Sequence, residues 1–226
     1  MMGHLTSRRE KIIDTAMRLF YRRGYHRTGI VDIREQAGVT TSGFFYHFSS
    51  KADLAGAVAK RYLQLLPSQV FQPMLQTVDD PVERVFALLD GYKEILMGNE
   101  FRTGCPMGRL AIEISDSNPK AATILNETFE MWINEVKKWL SEAADRFPPE
   151  TDLARLAMFV LVTMEGAVML SRTTRDIEPF EESVAELRRY FKLLCAKARG
   201  KKKGKGKGKG KGKGEDDPPE TDQAQN

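Results

Sequence analysis

Apolar positions recur along most of the chain at intervals of three and four residues, the spacing of one face of an α-helix. Ile12, Ile13, Ala16, Met17 and Phe20 form the first such stripe. Ser7 followed by Glu10 is a capping-box pattern that opens this helix, and Gly24 is its natural stop. Two shorter helices are expected from Ile30 to Ala37, closed by Gly38, and from Thr41 to His47. Ser50 with Asp53 repeats the capping logic for a fourth helix, apolar at Leu54, Ala57, Val58 and Tyr62, which should end before Pro67.

The same periodicity continues. Pro81 opens a stripe of Val85, Leu88, Leu89, Tyr92 and Leu96. Asn118-Pro119 reads as an N-cap with proline in the first helical position, and Leu125, Phe129, Trp132, Val136 and Trp139 follow down to Pro148-Pro149. From Leu153 to Thr174 the pattern is apolar on nearly every side in its first half, which predicts burial of that half. Pro179 opens a last helix through Leu187, Tyr190, Phe191 and Leu194. No alternating apolar run lies between hairpin turns. The expected fold is all-α, with about nine helices.

Composition narrows the class. The 226 residues are 41% hydrophobic and 29% charged, a normal mix for a soluble globular chain. Cys105 and Cys195 are too few for a disulfide framework and suit a reducing cytosol. No apolar stretch precedes the first charges, so no secretory signal is expected. The longest uncharged apolar run, Leu156 to Met164, is far short of the roughly 20 residues that a membrane helix needs. Residues 1–50 carry 8 Lys/Arg against 4 Asp/Glu, residues 51–196 carry 17 against 22, and residues 197–226 carry 10 against 5. Basic ends around an acidic middle suggest polyanion contact.

From Gly200 to Gly214 the chain is Gly and Lys only, followed by the acidic EDDPPETD. Such a segment cannot bury a core and is expected to be disordered. Its strict two-residue period matches neither phosphate-loop pattern. It could add sequence-independent phosphate contacts, be a solvated tail with no specific role, or be muted by the acidic end folding back. The expected division is 1–66, 67–198 and 199–226.

The informative segment is Gly24 to Lys51. Two short helices joined by a glycine turn make a helix-turn-helix, whose second helix lies in the major groove. Ile30, Ile33, Ala37, Val39, Phe44 and Phe48 should face inward, leaving Thr40, Thr41, Ser42, Phe45, Tyr46 and His47 exposed. Hydroxyls there can bond phosphates or base edges, and rings can pack on thymine methyls and sugars. His47 could instead only cap or pack locally, and Thr28 could be an N-cap.

The stretch from Lys11 to Leu54 resembles the DNA-binding domain of the tetracycline-repressor (TetR) family of bacterial regulators. The resemblance is carried by Leu19-Phe20, Gly24-Tyr25, Thr28, Asp32-Ile33, Ala37-Gly38-Val39-Thr40, Tyr46, His47-Phe48 and Lys51. It implies a phosphate contact for Thr28, a recognition helix beginning at Thr40, Thr41 and Ser42, backbone or base contacts for Tyr46 and His47, and a phosphate clamp at Lys51. Ser42-Gly43-Phe44-Phe45 departs from the family: Gly43 lacks the usual hydroxyl and so does Phe45, so two phosphate contacts would be absent. Gly104-Cys105-Pro106-Met107-Gly108 looks like a Gly-Cys-x-x-Gly segment that opens a helix in one branch of the family.

The family also implies a C-terminal ligand-binding and dimerisation bundle, with the dimer made by the last two helices. The apolar Leu156–Met164 run independently asks for cover by a partner. Pocket candidates are Phe86, Tyr92, Cys105, Met107, Trp132, Met164 and Met169, each with helix packing as the alternative. Arg109 and Glu113 are a surface pair or a polar anchor for an anionic effector; Cys105 is a redox-sensor candidate, and Cys195 a core residue.

The reading is a homodimeric, ligand-responsive repressor on a palindromic operator in double-stranded DNA, cytoplasmic and bacterial, nucleoid-associated when bound. It needs no cofactor, metal or membrane. Non-specific nucleic-acid binding through the Lys-Gly tail is the alternative. An enzyme is not expected: His4, His26 and His47 lack metal-ligand spacing, and neither G-x-S-x-G nor H-E-x-x-H occurs.

Overall fold

Side chains able to accept an orphan amide mark where most helices begin. In the computed structural model, which describes residues 7–206, α1 (Arg8–Arg23) starts at Ser7, whose hydroxyl accepts the Glu10 N–H at 3.2 Å. The Glu10 carboxylate does not complete the box; it pairs with Arg61. α2 (Ile30–Ala37) ends at Gly38, whose φ of 66° makes the tight turn that a side chain would oppose. α3 (Thr41–His47) is capped by Thr40, and α4 (Lys51–Leu66) by Ser50. The Asp53 carboxylate reaches one residue past that cap, to the N–H of Ser49 at 3.0 Å.

The fourth helix ends at Leu66, before Pro67 as expected, but the chain does not turn away there. The rod continues through a π-helical turn, Pro67–Phe71, into α5 (Gln72–Thr77). Proline removes one donor, and the wider turn keeps the rod going with Gln72 N–H bonded to Pro67 O. α6 (Pro81–Gly98) follows the Asp80 cap, and α7 (Pro106–Ile114) has Cys105 at its N-cap. α8 (Pro119–Glu142) follows Asn118 and α9 (Leu153–Thr174) follows Asp152; α10 spans Glu178–Gly206. With the α4–α5 rod counted once, the described residues hold nine helices and no strand. The fold is all-α, with an N-terminal helix-turn-helix and a C-terminal helical bundle.

α8 is the central rod of the larger part, lying along α4 on one side and α9 on the other, while α9 pairs with α10. One apolar core runs from Ile12, Phe44 and Leu54 through Val58 to Trp132, Trp139 and Phe191. It crosses residue 66 without a break. Inside the helix-turn-helix, Ile33, Phe44 and Phe48 are buried and Ile30, Ala37 and Val39 pack against them.

Two expectations about the C-terminal end are corrected. α10 runs through Gly206, so residues 200–206 are helical. Propagating an existing helix needs no new nucleus, which offsets part of the cost of the glycines. The rest of the expected disordered tail, from residue 207, lies outside the described residues. The first half of α9 is not wholly buried. Leu156, Val160 and Met164 enter the core, whereas Met158, Phe159 and Val162 are about half exposed or more. With a mean hydropathy of 1.8, α9 is long and apolar enough to cross a membrane by length and composition, which its nine uncharged residues understate. Here one face of it belongs to the core between α8 and α10.

Candidate nucleic-acid interface and ligand cavity

Thr40 builds the start of α3. Its Oγ1 accepts the Gly43 N–H at 3.1 Å and lies 3.2 Å from the Ser42 hydroxyl. A Cβ at Gly43 would stand 3.1 Å from that same oxygen, which favours glycine there. Phe44 anchors the helix from beneath, with its ring edge-on to Phe45 at 5.3 Å. Outward stand Thr40, Thr41, Ser42, Phe45 and Tyr46, the last 85% exposed. His47 is half-buried, its ring edge-on to Tyr46 at 4.9 Å. Such a row of hydroxyls and bare rings on one helix face suits base edges and sugars.

Sequence reasoning missed the neighbours of this face. Arg8 borders a shallow depression of about 500 Å³ together with Gly43, Tyr46 and His47. The Arg9 guanidinium stacks over the Phe48 ring at 5.2 Å. A signal was present: two arginines in a helix's first turn oppose the helix dipole, which favours acids there.

Two residues expected at phosphates face the protein interior in this structure. Thr28 is fully buried, and its hydroxyl donates to Gly24 O at 2.7 Å. The Lys51 ammonium turns inward, donating to Tyr25 O and Thr28 O at 3.1 Å each and lying 4.3 Å from the Tyr25 ring centre. Loss of hydration at this site lowers its pKa, while Glu113 opposes the shift. Both residues close the turn between α1 and α2, where backbone carbonyls left by the helix end need donors.

That turn is held from the other side by α7. Arg109 bonds Glu113 at 3.1 Å and Tyr21 O at 3.1 Å. Glu113 accepts the His26 N–H at 2.9 Å, and the His26 ring meets Glu113 O at 2.8 Å. Asn118 donates to Ala52 O at 2.7 Å. A Cβ at Gly24, whose φ is 94°, would come within 2.7 Å of both Arg109 and Glu113. The helix-turn-helix is thus tied polar group by polar group to the bundle.

Beside this junction is a cavity of about 330 Å³ walled by α1, α4, the π turn, α6 and α7. Its lining includes Met17, Tyr21, Tyr62, Gln69, Leu88, Tyr92 and Met107, with no ionisable side chain other than the three tyrosines. Burial pushes the phenols of Tyr62 and Tyr92 well up, so both stay neutral donors. Of the expected pocket residues, Tyr92 and Met107 line it. Cys105 is buried at its edge as the α7 cap. Burial first, and then the nearby Glu165 charge, raise the Cys105 thiol, which is the reverse of what a redox-sensing thiolate requires.

The other expected pocket residues do not line this cavity, although Phe86 borders a separate cleft with Glu83, Arg146 and Arg188. Phe86 packs edge-on to Phe191 at 5.3 Å, under the Arg188 guanidinium. Trp132 and Met164 are core. Met169 is 59% exposed on the outer face of α9. Helical period places each on an apolar face but does not say which neighbour that face meets. Cys195 is partly buried against the core. Tyr21 and Tyr62 were missed because they belong to helices assigned to the DNA-binding part. The π turn that supplies Gln69 is the one local oddity that pointed there.

Comparison with known proteins agrees with this architecture. Residues 12–58 match the family model described as bacterial regulatory proteins, tetR family. Residues 81–186 match the one described as transcriptional regulator LmrA/YxaF-like, C-terminal domain. The HTH-type transcriptional repressor DhaR of Mycobacterium sp. (strain GP1) is 26% identical over 176 residues, covering 77% of this chain and 87% of that protein. The HTH-type transcriptional regulator LmrA of Bacillus subtilis (strain 168) is 25% identical over 171 residues, 76% of this chain and 89% of that protein. The crystal structure of a TetR transcriptional regulator from Chloroflexus aurantiacus superposes with a TM-score of 0.70 at 30% identity, covering 82% of this chain and 94% of that one.

Proposed function

The chain belongs to the TetR family of bacterial transcriptional regulators, and from that premise we propose that it is a homodimeric, ligand-responsive repressor of a palindromic operator. The observation that carries the DNA-binding half is the exposed row Thr41, Ser42, Phe45 and Tyr46 on α3, flanked by Arg8 and Arg9. In this reading α3 enters the major groove, Tyr46 and Phe45 meet bases or sugars, and Thr40, Thr41, Ser42 and His47 fix its register. Thr28 and Lys51 support from behind and do not touch DNA. The protein works in the cytoplasm on the nucleoid, without catalysis or a cofactor.

Dimerisation is assigned to the outer face of α9 and α10. Phe159, Val162, Met169, Leu170, Tyr190 and Leu193 are each exposed by 44% or more. A contiguous apolar face of that kind marks an interaction surface, and a two-fold pairing would present two copies of α3 to successive half-sites.

The effector site is the cavity beside the α1–α7 junction. At about 330 Å³ it sits at the small end of ligand pockets. Its apolar walls, neutral phenols and Gln69 amide suit an uncharged, mainly apolar molecule with one or two hydrogen-bonding groups. Filling it presses on Tyr21 and Met107, next to the Arg109–Tyr21 and Glu113–His26 bonds. An effector that favours the displaced arrangement weakens operator binding by its differential affinity.

The test is footprinting on DNA upstream of its own gene, with excess competitor DNA, for the wild type, Tyr46→Ala and a chain ending at Arg199. A protected palindrome retained by the truncated chain and lost at least tenfold in affinity with Tyr46→Ala is expected. Uniform binding lost with the Lys-Gly segment would replace this reading with tail-driven, non-specific binding.

A further inference from the structure

Dimerisation, operator contact and the apolar cavity leave unused a cleft of about 500 Å³ whose lining is entirely arginine: Arg22, Arg23, Arg27, Arg102, Arg109 and Arg172. Arg22 and Arg23 end α1, Arg27 lies in the turn after it, Arg102 in the α6–α7 loop, Arg109 on α7 and Arg172 in the last turn of α9. They come from segments far apart in sequence, so this is not the solvated face of one helix. Three have acidic partners. Arg23 meets Asp32 at 3.4 Å, Arg109 meets Glu113 at 3.1 Å, and Arg102 pairs with Glu100.

Among the described residues, Arg22, Arg27 and Arg172 form no ion pair with a carboxylate. Arg22 and Arg27 are exposed. Arg172 is half-buried, and its Nε–H is buried with no hydrogen-bond partner, while its Nη2 donates only to Arg102 O at 3.5 Å. Loss of hydration, then the charges of Arg109 and Arg175, lower the Arg172 pKa, the sign of an uncompensated cation. Like charges brought together around an unsatisfied buried donor oppose folding unless something anionic completes them.

We propose that this cleft binds a compact polyanion carrying a diphosphate group, distinct from the neutral effector of the tyrosine-lined cavity. Guanidinium forks match phosphate oxygens two by two. Each terminal phosphate carries about −1.5 to −2 at neutral pH, so two linked phosphates balance the three unpaired arginines. The walls come from both the α1–α2 turn and the bundle. The anion therefore bridges the two parts and biases the orientation of the recognition helix.

The experiment is calorimetric titration of the full-length protein at about 0.15 M salt with inorganic pyrophosphate and, separately, with ADP. The wild type is compared with Arg22→Ser/Arg27→Ser and with Arg172→Gln, all retaining the lysine-rich tail. The expected result is one saturable site per chain, at least tenfold weaker in both variants. The double variant, altered only at exposed positions, keeps the wild-type melting temperature without anion. Tighter binding of ADP identifies a nucleotide as the source of the diphosphate; equal binding identifies the diphosphate alone. No saturable site overturns the proposal, and so does binding that the variants leave unchanged, which would belong to the tail. Weaker DNA binding by the double variant with no pyrophosphate site also overturns it, because the cleft would then hold the DNA backbone. The result does not depend on the neutral effector, so it stands or falls separately from the ligand-responsive reading.

Discussion

Lys51→Met separates a brace from a phosphate clamp. Methionine keeps most of the apolar stem and removes the ammonium, which holds Tyr25 O and Thr28 O at 3.1 Å and lies over the Tyr25 ring. A hydrogen bond from a charged donor contributes about 1.5–3 kcal/mol and a cation–π contact about 0.5–1 kcal/mol at an exposed site. Lys51 is half-buried, so water recovers part of this, and the expected destabilisation is about 2 kcal/mol. Urea unfolding followed by far-ultraviolet circular dichroism measures it, and hydrogen exchange of the amides from Thr28 to Ile33 localises it. On this geometry the slope of log operator affinity against log salt stays at its wild-type value. An unchanged urea midpoint, together with a salt slope smaller by about 0.9, would refute the reasoning and return Lys51 to a phosphate.

Gly24→Ala forces a side chain into a backbone with φ of 94° and against Arg109 and Glu113; the backbone alone costs about 1–3 kcal/mol. A wild-type melting temperature in that variant would contradict the docking of α1 on α7. Glu165 is half-buried and its pKa is raised by loss of hydration, with a nearby Cys105 hydrogen bond opposing. The folded state therefore holds its proton more tightly than the unfolded chain, so its stabilising contribution is complete below the ordinary carboxyl pKa of 4.5 and is lost as pH rises through the folded value. Glu165→Gln should flatten that decline in unfolding midpoints measured upward from pH 4.5; an unaltered slope would assign it to another group. Val162 is 61% exposed on α9, and Val162→Glu should shift sedimentation to monomer and abolish tight operator binding. A dimer of undiminished affinity would move the interface elsewhere.

The helix starts were legible because a cap is a local event. Ser7, Thr40, Ser50 and Asn118 each accept an amide three residues on. The recognition face was legible for the same reason: Phe44 and Phe48 mark the inside of a short helix, and Phe45 and Tyr46 then point out. The inward turn of Lys51 and Thr28 was not legible, because a lysine or threonine beside a turn suits a phosphate and a backbone carbonyl equally well. Contacts 23 and 26 residues away decided for Lys51. The cavity escaped because its walls cross residue 66, where composition and Pro67 suggested a boundary that the continuous core ignores.

By itself, then, the sequence determined most of the helical segments and their starts, though not the Pro67–Thr77 continuation or the helical residues 200–206, and which face of α3 is free. Those outcomes depend on side-chain period and on hydrogen bonds within one turn. Only the tertiary structure decided what each face meets: the brace under the α1–α2 turn, the tyrosine-lined cavity, the bare apolar side of α9 and the six converging arginines. Arg109 reaches Tyr21 across 88 residues and Glu113 reaches His26 across 87. Helical period records that a position is apolar or charged, but not which distant helix closes over it, and that closure is set by packing of the whole core.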